Sequence, residues 1–441
     1  MTLSDATVSL DYPRLLDSLA ADNNLLIIQD LDGVCMELVQ DPLTRGIDRH
    51  YVEAAHKLSG HFQVLTNGEH TGRRGVNRIV EQAFDTLEQV RQHGLYLPGL
   101  AAGGVQLQDR YGNVSHPGVT QAELNFLGLV PEKMRQFLTE TLRAAPYRLD
   151  AATIDTLLQS AVLDNRVSPT INLNHFHSRF KNQPACYRQL QQQAGQSLVQ
   201  LLDDAAAQGL ADAFFVHYAP NLGCDAAGHE RLKPGDSDHA GTHDFQFMLQ
   251  GAIKEVGALV ILNDYYQRRT GTYPLGAQFN ARAAPRELDT LLKLAVDRFD
   301  PRYMPRILGV GDTVTACPQP TEDGRIQILR GGSDRGFLTL VQALGKSFDT
   351  DNVVAYVDSS GGEVQRPRIE TKQLHSSAAA HWAGLDNISD ADDPLTLNFV
   401  FPEGYRQYVG FFRALADRFP SVGPGLPAAN RATDKLRQGG R

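Results

Sequence analysis

Short apolar runs alternate with helix-like segments in the first part of the chain. Residues 25–29 have the pattern of a buried strand that ends at Asp30, and residues 51–58 are helix-like. A second short apolar run ends at Thr66, and residues 75–92 again have a helical pattern. Strands and helices that alternate at this spacing predict an α/β fold with a parallel sheet.

The middle of the chain has longer amphipathic segments and more polar loops. Two short alternating runs flank Asp109–Gly112 and predict a β-hairpin. Pro131 is expected to open a helix, and residues 170–177 and 213–219 are strand-like. Residues 220–243 are rich in Gly, Pro, Asp and His, which predicts a long loop.

The α/β pattern resumes towards the end of the chain. After a helical pattern over residues 244–268, an amphipathic helix is predicted over residues 286–299. Residues 306–318 and 352–358 are strand-like, and the first of them contains Asp312. We therefore predict an α/β core, an inserted α+β unit and a loose tail, which cover residues 1–117 with 284–420, residues 118–283, and residues 421–441.

Composition and charge narrow the class of protein. The chain has 441 residues, of which 42% are hydrophobic, and a formal net charge of −9. This charge argues against nucleic acid as the main partner, and no apolar run approaches the roughly 18 residues of a membrane span. The N-terminus lacks a signal-peptide pattern, and the four cysteines form no C-x-x-C pair. We expect a reduced, soluble, cytoplasmic protein without a nucleic-acid or membrane partner, and the sequence does not indicate its oligomeric state.

Polar residues follow three of the predicted strands. Asp30 and Asp32 come directly after the first strand, Thr66 closes the second, and Asp312 lies in the third. The carboxyl ends of parallel strands meet at one edge of a sheet, where α/β proteins bind ligands. Two neighbouring carboxylates repel each other, so the pattern indicates a metal ion or a reaction at this edge. Taken alone, the aspartates fit turn or N-cap positions as well.

The ordered set of strand ends resembles the haloacid dehalogenase (HAD) superfamily of phosphohydrolases. The first family motif matches Asp30–Gly33, and the second matches the Thr-Asn-Gly sequence that begins at Thr66. The resemblance implies that Asp30 is a nucleophile that forms an aspartyl-phosphate, and that Asp32 is the general acid and then the general base. It also implies that the Thr66 hydroxyl binds a phosphoryl oxygen. The implied fold is a HAD-like Rossmannoid core with a cap inserted at the C2-type position, after the second motif.

The third family motif is a basic residue near the start of a helix, and three residues are candidates. Arg286 lies 26 residues before Asp312 at a predicted helix start and is the first choice. Lys293 is the second choice, and Lys254, on the preceding predicted helix, is the third. The cation would hold the nucleophile and the phosphoryl group together. Arg286 fits the surface of a helix equally well.

The fourth family motif matches Gly311-Asp312, but with a departure from the family pattern. The position four residues on, where a second acid is usual, is Ala316. The sequence SDRGF at 333–337 matches the second half of the motif, displaced by about twenty residues. The resemblance implies a Mg²⁺ site. Its implied ligands are Asp30, Asp32, Asp312 and Asp334. For Asp334 an N-cap position before the following helix is the alternative.

Within the superfamily, the chain is most similar to the glucosylglycerol-phosphate phosphatases of salt-tolerant cyanobacteria. The stretches QDLDGVCMELVQDPL and LTNGEH and the overall length carry this resemblance. It implies hydrolysis of glucosylglycerol 3-phosphate, which releases a compatible solute during osmotic stress. Sucrose-, trehalose- and mannosylglycerate-phosphate phosphatases are the alternatives. An alternative of another class is a non-catalytic protein that binds a sugar phosphate and regulates a partner.

A small-molecule glycoside phosphate is therefore the expected partner, and two short segments supply candidates for binding it. Neutral hydrogen-bonding groups on a cap strand suit sugar hydroxyls, and His175 and His177 would share one face of such a strand. No tight His/Cys spacing supports a zinc site instead. The candidate substrate-binding residues are Asn67, Gly68, Glu69, His70, Asn174, His175 and His177, with Asn172 beside them.

Overall fold

The structure is a computed structural model that describes residues 2–225, 228–321, 324–374 and 382–419. The predicted loose tail, residues 421–441, lies outside this range. Among the described residues, no helix combines the length and the apolar character that crossing a membrane requires.

Strands and helices alternate along most of the described chain. The strands, in chain order, are β1 Leu25–Gln29, β2 Phe62–Leu65, β3 Gly99–Ala101, β4 Gln106–Gln108, β5 Val114–Ser115, β6 Val162–Leu163, β7 Thr170–Asn172, β8 Phe214–Ala219, β9 Asn221–Cys224, β10 Glu230–Leu232, β11 Asp244–Leu249, β12 Arg306–Gly311, β13 Thr315–Pro320, β14 Ile326–Gly331, β15 Val353–Val357 and β16 Phe399–Phe401. The α-helices are α1 Tyr12–Ala20, α2 Arg49–Lys57, α3 Val76–Gln82, α4 Leu87–His93, α5 Gln121–Arg143, α6 Ala151–Ala161, α7 Asn174–Arg179, α8 Pro184–Ala206, α9 Lys254–Thr270, α10 Leu288–Arg298, α11 Arg335–Phe348, α12 Thr371–Leu374 and α13 Tyr405–Arg418.

An eight-stranded sheet forms the centre of the molecule. Its strand order is β16-β15-β12-β1-β2-β3-β4-β5. The pairs from β16 to β3 are parallel, and β4 and β5 add an antiparallel edge. The predicted α/β fold with a parallel sheet is confirmed, and the predicted hairpin around Asp109–Gly112 joins β4 to β5.

The apolar residues of β1 explain its central place in this sheet. All five of its residues are buried. Leu26 and Ile28 pack on the face that α9 and α11 cover, whereas Leu25 and Ile27 pack on the face that α1 and α13 cover. A parallel strand that is buried on both faces needs apolar side chains on both, and a near-continuous apolar run supplies them.

A second sheet, of four strands, lies in the inserted region. Its order is β6-β7-β11-β8, and all of its pairs are antiparallel. Helices α5, α6 and α8 contact these strands, and their apolar side chains pack with those of the sheet. We call this sheet the cap sheet.

Strand β11 corrects the predicted helix over residues 244–268. Asp244–Leu249 is extended and pairs with β7 on one side and β8 on the other. Helix α9 begins only at Lys254. Asp244–Leu249 alternates polar and apolar residues in its first half, which is the strand signal that the longer helical pattern concealed.

Three other predicted elements also need correction. The strand-like segment 170–177 is the short strand β7 followed by helix α7. Pro131 lies inside α5, not at its start, because the buried face of this helix continues across it from Phe126 to Leu142. The predicted loop over residues 220–243 contains the paired strands β9 and β10.

Helix α9 connects the inserted region to the central sheet. It contacts α11, α10 and strand β2, all of which belong to the core. The predicted division at residues 118 and 283 stays a prediction, and the packing of α9 favours a boundary nearer residue 250.

Candidate active site

The three predicted strand ends meet at one edge of the central sheet. Strand β1 lies between β12 and β2, with Gln29 paired to Val310 on one side and to Val64 on the other. Asp30, Thr66 and Asp312 each follow directly after one of these strands. The parallel arrangement therefore brings their side chains to the same edge.

Three carboxylates form a buried cluster at this edge. One oxygen each from Asp30, Asp312 and Asp334 lies within 4.8 Å of the other two, and the residues are 7%, 2% and 0% exposed. Asp334 Oδ2 accepts hydrogen bonds from the backbone N–H of Asp312 and of Thr313, both at 2.9 Å. The Asp334 carboxylate makes no N-cap hydrogen bond to α11, so its side chain serves the cluster and not the helix.

Glycines leave the space in which this cluster forms. Gly33 has a φ of +81°, and a β-carbon there would collide with the Asp312 carboxylate. A β-carbon at Gly311 would collide with the Asp334 side chain. A larger residue at either position would push a carboxylate out of place.

Lys254 is the cation of the cluster. Its Nζ lies 2.6 Å from Asp30 Oδ2 and 2.6 Å from Asp334 Oδ1, and the residue is 2% exposed. It is the first residue of α9, so this helix begins at the carboxylate cluster. From the sequence, Lys254 is the third choice, because it lies on the predicted helix that precedes the one beginning at Arg286.

The first two choices for this cation are corrected by the structure. Arg286 is exposed and precedes α10. Lys293 is exposed on α10 and pairs with Asp297 at 2.7 Å. Neither residue is brought to the carboxylates.

The cluster fits a divalent cation. Burial raises the pKa of Asp30 to about 7, with Lys254 opposing the shift and the neighbouring aspartates adding to it. Burial likewise raises the pKa of Asp312 to about 6. Asp312 Oδ2 is buried and has no hydrogen-bond partner among the described residues, and Arg366 Nη1 lies 3.6 Å from it. Crowded hard oxygens with an unused acceptor form the kind of ligand set that Mg²⁺ prefers.

Asp32 stands apart from the cluster. Its carboxylate oxygens accept hydrogen bonds from Arg45 Nη1 at 3.0 and 2.8 Å, and its side chain is 29% exposed. The prediction that its side chain shares the metal site is therefore corrected, because Arg45 holds the carboxylate outside the group formed by Asp30, Asp312 and Asp334. Asp32 nevertheless borders the cavity at this edge of the sheet.

A cavity of about 130 Å³ lies between the cluster and the cap sheet. The sheet edge contributes Asp30, Asp32, Thr66 and Asp312, and loops add Arg45 and Arg366. The cap sheet forms the opposite wall, where Leu163 and Ala219 accompany four polar side chains, which we call the roof. They are Thr170, Asn172, Asp244 and Gln246.

Strand alternation makes the roof polar. Asp244 pairs with Asn172, and Gln246 pairs with Thr170, so these side chains share one face of the cap sheet. Phe245 points to the opposite face and is fully buried. Asn172 Nδ2 donates to Asp244 Oδ1 at 2.7 Å, whereas the buried Gln246 Oε1 has no partner in the described chain. The roof thus offers donors and acceptors to a polyhydroxyl ligand.

Four of the predicted substrate-binding residues border the cavity. They are Asn67, Gly68, Glu69 and Asn174. The buried Asn174 Oδ1 has no hydrogen-bond partner among the described residues. Thr66 Oγ1 accepts from the Gly68 N–H at 3.3 Å, which closes a tight loop after β2. Glu69 directs its carboxylate at the backbone of residues 166–168 and not at the cavity.

The three predicted histidines are corrected. His70 is fully buried, with Nε2 3.2 Å from the Gly99 carbonyl, and burial lowers its pKa to about 4. His177 Nε2 contacts the Asp236 carbonyl at 2.8 Å. His175 and His177 belong to helix α7, not to a strand, and neither borders the cavity.

Sequence reasoning missed several residues that border the cavity and placed Lys254 only third among the candidate cations. The missed residues include Arg45, Thr170, Asp244, Gln246 and Arg366. The alternating sequence around Phe245 carried a signal for Asp244 and Gln246. Arg45 and Arg366 lie in loops without a recognisable pattern, so only the folded chain reveals them.

Comparisons with known proteins identify the family of this chain. The family model described as glucosylglycerol-phosphate phosphatase matches residues 24–416, which include the whole cluster. A glucosylglycerol-phosphate phosphatase from Synechocystis sp. is 50% identical over 418 residues, which are 95% of this chain and 98% of that protein. This chain belongs to the glucosylglycerol-phosphate phosphatase family. The phosphatase family predicted from the motifs is confirmed.

Solved structures resemble this family member only distantly. A trehalose-6-phosphate phosphatase from Aspergillus fumigatus is 11% identical, with a TM-score of 0.38, and covers 93% of this chain and 99% of its own. The C-terminal domain of the C. albicans trehalose-6-phosphate phosphatase is 12% identical, with a TM-score of 0.44, over 94% and 99% of the two chains. Likenesses this low do not bear on the site.

Proposed function

We propose that this protein is a Mg²⁺-dependent phosphatase that hydrolyses glucosylglycerol 3-phosphate to glucosylglycerol and phosphate. The observation that carries the proposal is the buried group of three carboxylates and Lys254, which faces a polar roof across one cavity. Family membership supports the substrate. The release of a compatible solute links the reaction to salt tolerance, and the predicted cytoplasmic location stays a prediction.

Each residue of the edge has a separate part in the proposed reaction. An Asp30 oxygen attacks phosphorus, forms an aspartyl-phosphate and displaces the substrate alkoxide, which takes a proton from Asp32. Asp32 then accepts a proton from the water that attacks the aspartyl-phosphate, so that phosphate leaves and Asp30 is regenerated. Thr66 donates its hydroxyl hydrogen to a phosphoryl oxygen.

Lys254 and the remaining aspartates hold the reacting groups. Lys254 orients the Asp30 carboxylate and offsets its repulsion from Asp334. Asp30, Asp312 and Asp334 would hold Mg²⁺. When it is bound, the ion neutralises negative charge on the transferred phosphoryl group. Arg45 orients the Asp32 carboxylate towards the cavity.

The roof favours a neutral sugar over an acidic one. Asp244 is hydrogen-bonded to Asn172, and no ion pair to Asp244 occurs in the described part of the chain. Burial raises the pKa of Asp244 to about 6, and the nearby Arg366 and Arg45 oppose this shift. In its ionised form the Asp244 carboxylate would repel a glycerate group on the substrate, whereas glycerol hydroxyls can donate to it. This supports glucosylglycerol phosphate over mannosylglycerate phosphate.

Phosphate release from a panel of substrates tests the proposal. With Mg²⁺ present, we expect turnover of glucosylglycerol 3-phosphate to exceed that of sucrose, trehalose and mannosylglycerate phosphates, and EDTA to abolish it. Preference for another glycoside phosphate would replace the proposed substrate. A folded protein that binds glucosylglycerol phosphate and releases no phosphate would favour the non-catalytic alternative.

A substitution at Gln246 tests whether the roof contacts the sugar. The Gln246→Ala variant should raise KM for glucosylglycerol phosphate about tenfold, because one buried hydrogen bond to the sugar is lost, and should raise KM for p-nitrophenyl phosphate by less. Steady-state kinetics measure both, and Gln208→Ala, an exposed cap glutamine, is the matched control. Equal changes for the two substrates would contradict a sugar contact at Gln246.

A further inference from the structure

Buried hydrogen bonds tie the inserted region to the catalytic edge at three points. We propose that these contacts, made through Glu69, His217 and Arg74, position two parts of the catalytic edge. They are the loop after β2, which we call the phosphate-binding loop, and the general acid Asp32. The inserted region, or cap region, is then required for hydrolysis of any phosphate ester. This inference rests on the proposed phosphatase function. The inserted region would then support the chemical step in addition to its proposed contacts with the sugar.

The first link is Glu69, in the loop that follows Thr66. Its carboxylate accepts hydrogen bonds from the backbone N–H of Arg166, Val167 and Ser168, at 3.1, 2.7 and 2.9 Å. The Ser168 hydroxyl adds a fourth bond at 3.0 Å. Glu69 is 2% exposed, so water cannot replace these donors. The carboxylate therefore joins the phosphate-binding loop to the segment that leads into β7.

The second link runs through His217 on β8. Its Nε2 lies 3.0 Å from Asn67 Nδ2, and its Nδ1 lies 2.7 Å from Glu230 Oε1. In the neutral imidazole, the Nδ1 proton is donated to the Glu230 carboxylate, and Nε2 accepts from the Asn67 amide. The residue next to Thr66 is thus oriented by a pair from the inserted region. His217 itself does not border the cavity.

The third link reaches the general acid. Arg74 is 4% exposed and donates to the Gln159 carbonyl at 2.6 Å and to the Asp164 carboxylate. Its own carbonyl accepts a hydrogen bond from Arg45, the residue that holds Asp32. A shift of the inserted region would therefore move the partner of Asp32 as well as the loop after β2.

Each link ends beside a residue that is proposed to act on the phosphoryl group: Asn67 and Glu69 closely follow Thr66, and Arg45 holds Asp32. None of the hydrogen bonds ends on a roof side chain, although His217 is paired with Gln246 in the cap sheet. Displacement of a catalytic group by about 1 Å lowers turnover about 10²-fold. Loss of a link should accordingly lower kcat for every phosphate ester by a similar factor. Loss of a sugar contact should affect the glycoside phosphate most. The two kinds of residue are therefore distinguishable by substrate.

The experiment compares glucosylglycerol phosphate with p-nitrophenyl phosphate, which has no sugar. We expect Glu69→Gln to lower kcat about 10²-fold for both substrates, because an amide nitrogen in place of either carboxylate oxygen would face at least one N–H donor. His217→Ala should lower kcat for both, with KM little changed. His217→Gln should recover part of the loss, since its side-chain oxygen can accept from Asn67. Lys133→Ala, which removes a surface ion pair of the cap region, is the control.

Thermal unfolding of each variant distinguishes a protein that does not fold from a folded protein whose catalytic groups are displaced. If Glu69→Gln does not fold, the two His217 variants test the inference. The inference is overturned if folded His217→Ala retains p-nitrophenyl phosphate turnover within about twofold of the wild type. It is also overturned if only glycoside turnover falls. Wild-type protein that hydrolyses p-nitrophenyl phosphate but no glycoside phosphate would refute the proposed substrate instead, and the comparison of variants would still stand.

Discussion

Replacing Asp30 by asparagine is expected to lower phosphate release by a factor of about 10⁴ or more. An amide does not attack phosphorus as a carboxylate does, so no aspartyl-phosphate can form. The change is nearly isosteric and removes one of three crowded, buried carboxylates. The variant should therefore fold, and phosphate release with saturating Mg²⁺ measures the loss directly.

A matched surface variant makes this result specific. Asp297→Asn carries the same chemical change on α10, where the side chain is 53% exposed and pairs with Lys293. It should retain wild-type turnover. If Asp30→Asn kept substantial activity with its fold intact, Asp30 would not be the nucleophile, and the proposed division of work between Asp30 and Asp32 would be wrong.

Replacing Lys254 by methionine is expected to damage both stability and activity. Methionine keeps much of the apolar stem but leaves Asp30 and Asp334 without the ammonium that lies 2.6 Å from each. Removing one partner of a buried ion pair typically lowers the free energy of unfolding by about 3–5 kcal/mol. Chemical unfolding measures the loss of stability and is carried out in EDTA, because a bound cation would partly replace the missing ammonium. Turnover with Mg²⁺ measures the loss of activity.

Arg286→Met provides the comparison for Lys254→Met, because the sequence alone favours Arg286 as the cation. Arg286 is exposed and lies away from the carboxylates, so its loss should change stability and turnover little. A larger effect from Arg286 than from Lys254 would contradict the placement of the cation and restore the first expectation.

The parts of the site that lie at strand ends could be predicted from the sequence. Asp30, Thr66 and Asp312 each follow a short apolar run, and parallel pairing of such runs forces their ends together. The sequence SDRGF indicates Asp334, although the hairpin β13–β14 separates this residue from Asp312 along the chain. Local patterns were sufficient here because each residue is placed by its own strand or turn.

Lys254 shows why the rest was harder to predict. Its role depends on where the chain leaves the inserted region and enters α9. The helix-like composition of residues 244–268 hid that boundary, because an apolar strand and an apolar helix look alike over short distances. The same error concealed the roof residues Asp244 and Gln246. Arg45 depends on a loop conformation that no periodicity encodes.

The alternation of the roof has a consequence for how relatives of this protein can acquire new substrates. Asn172, Asp244 and Gln246 project from one face of strands whose other face, at Phe245 and Ile171, is packed in the hydrophobic interior. Point substitutions on the polar face would change the proposed contacts to the sugar without disturbing that interior. A single-residue insertion in β11 would reverse the two faces. We therefore expect relatives with different substrates to differ by substitutions on the polar face of these strands, and insertions or deletions to occur in the loops.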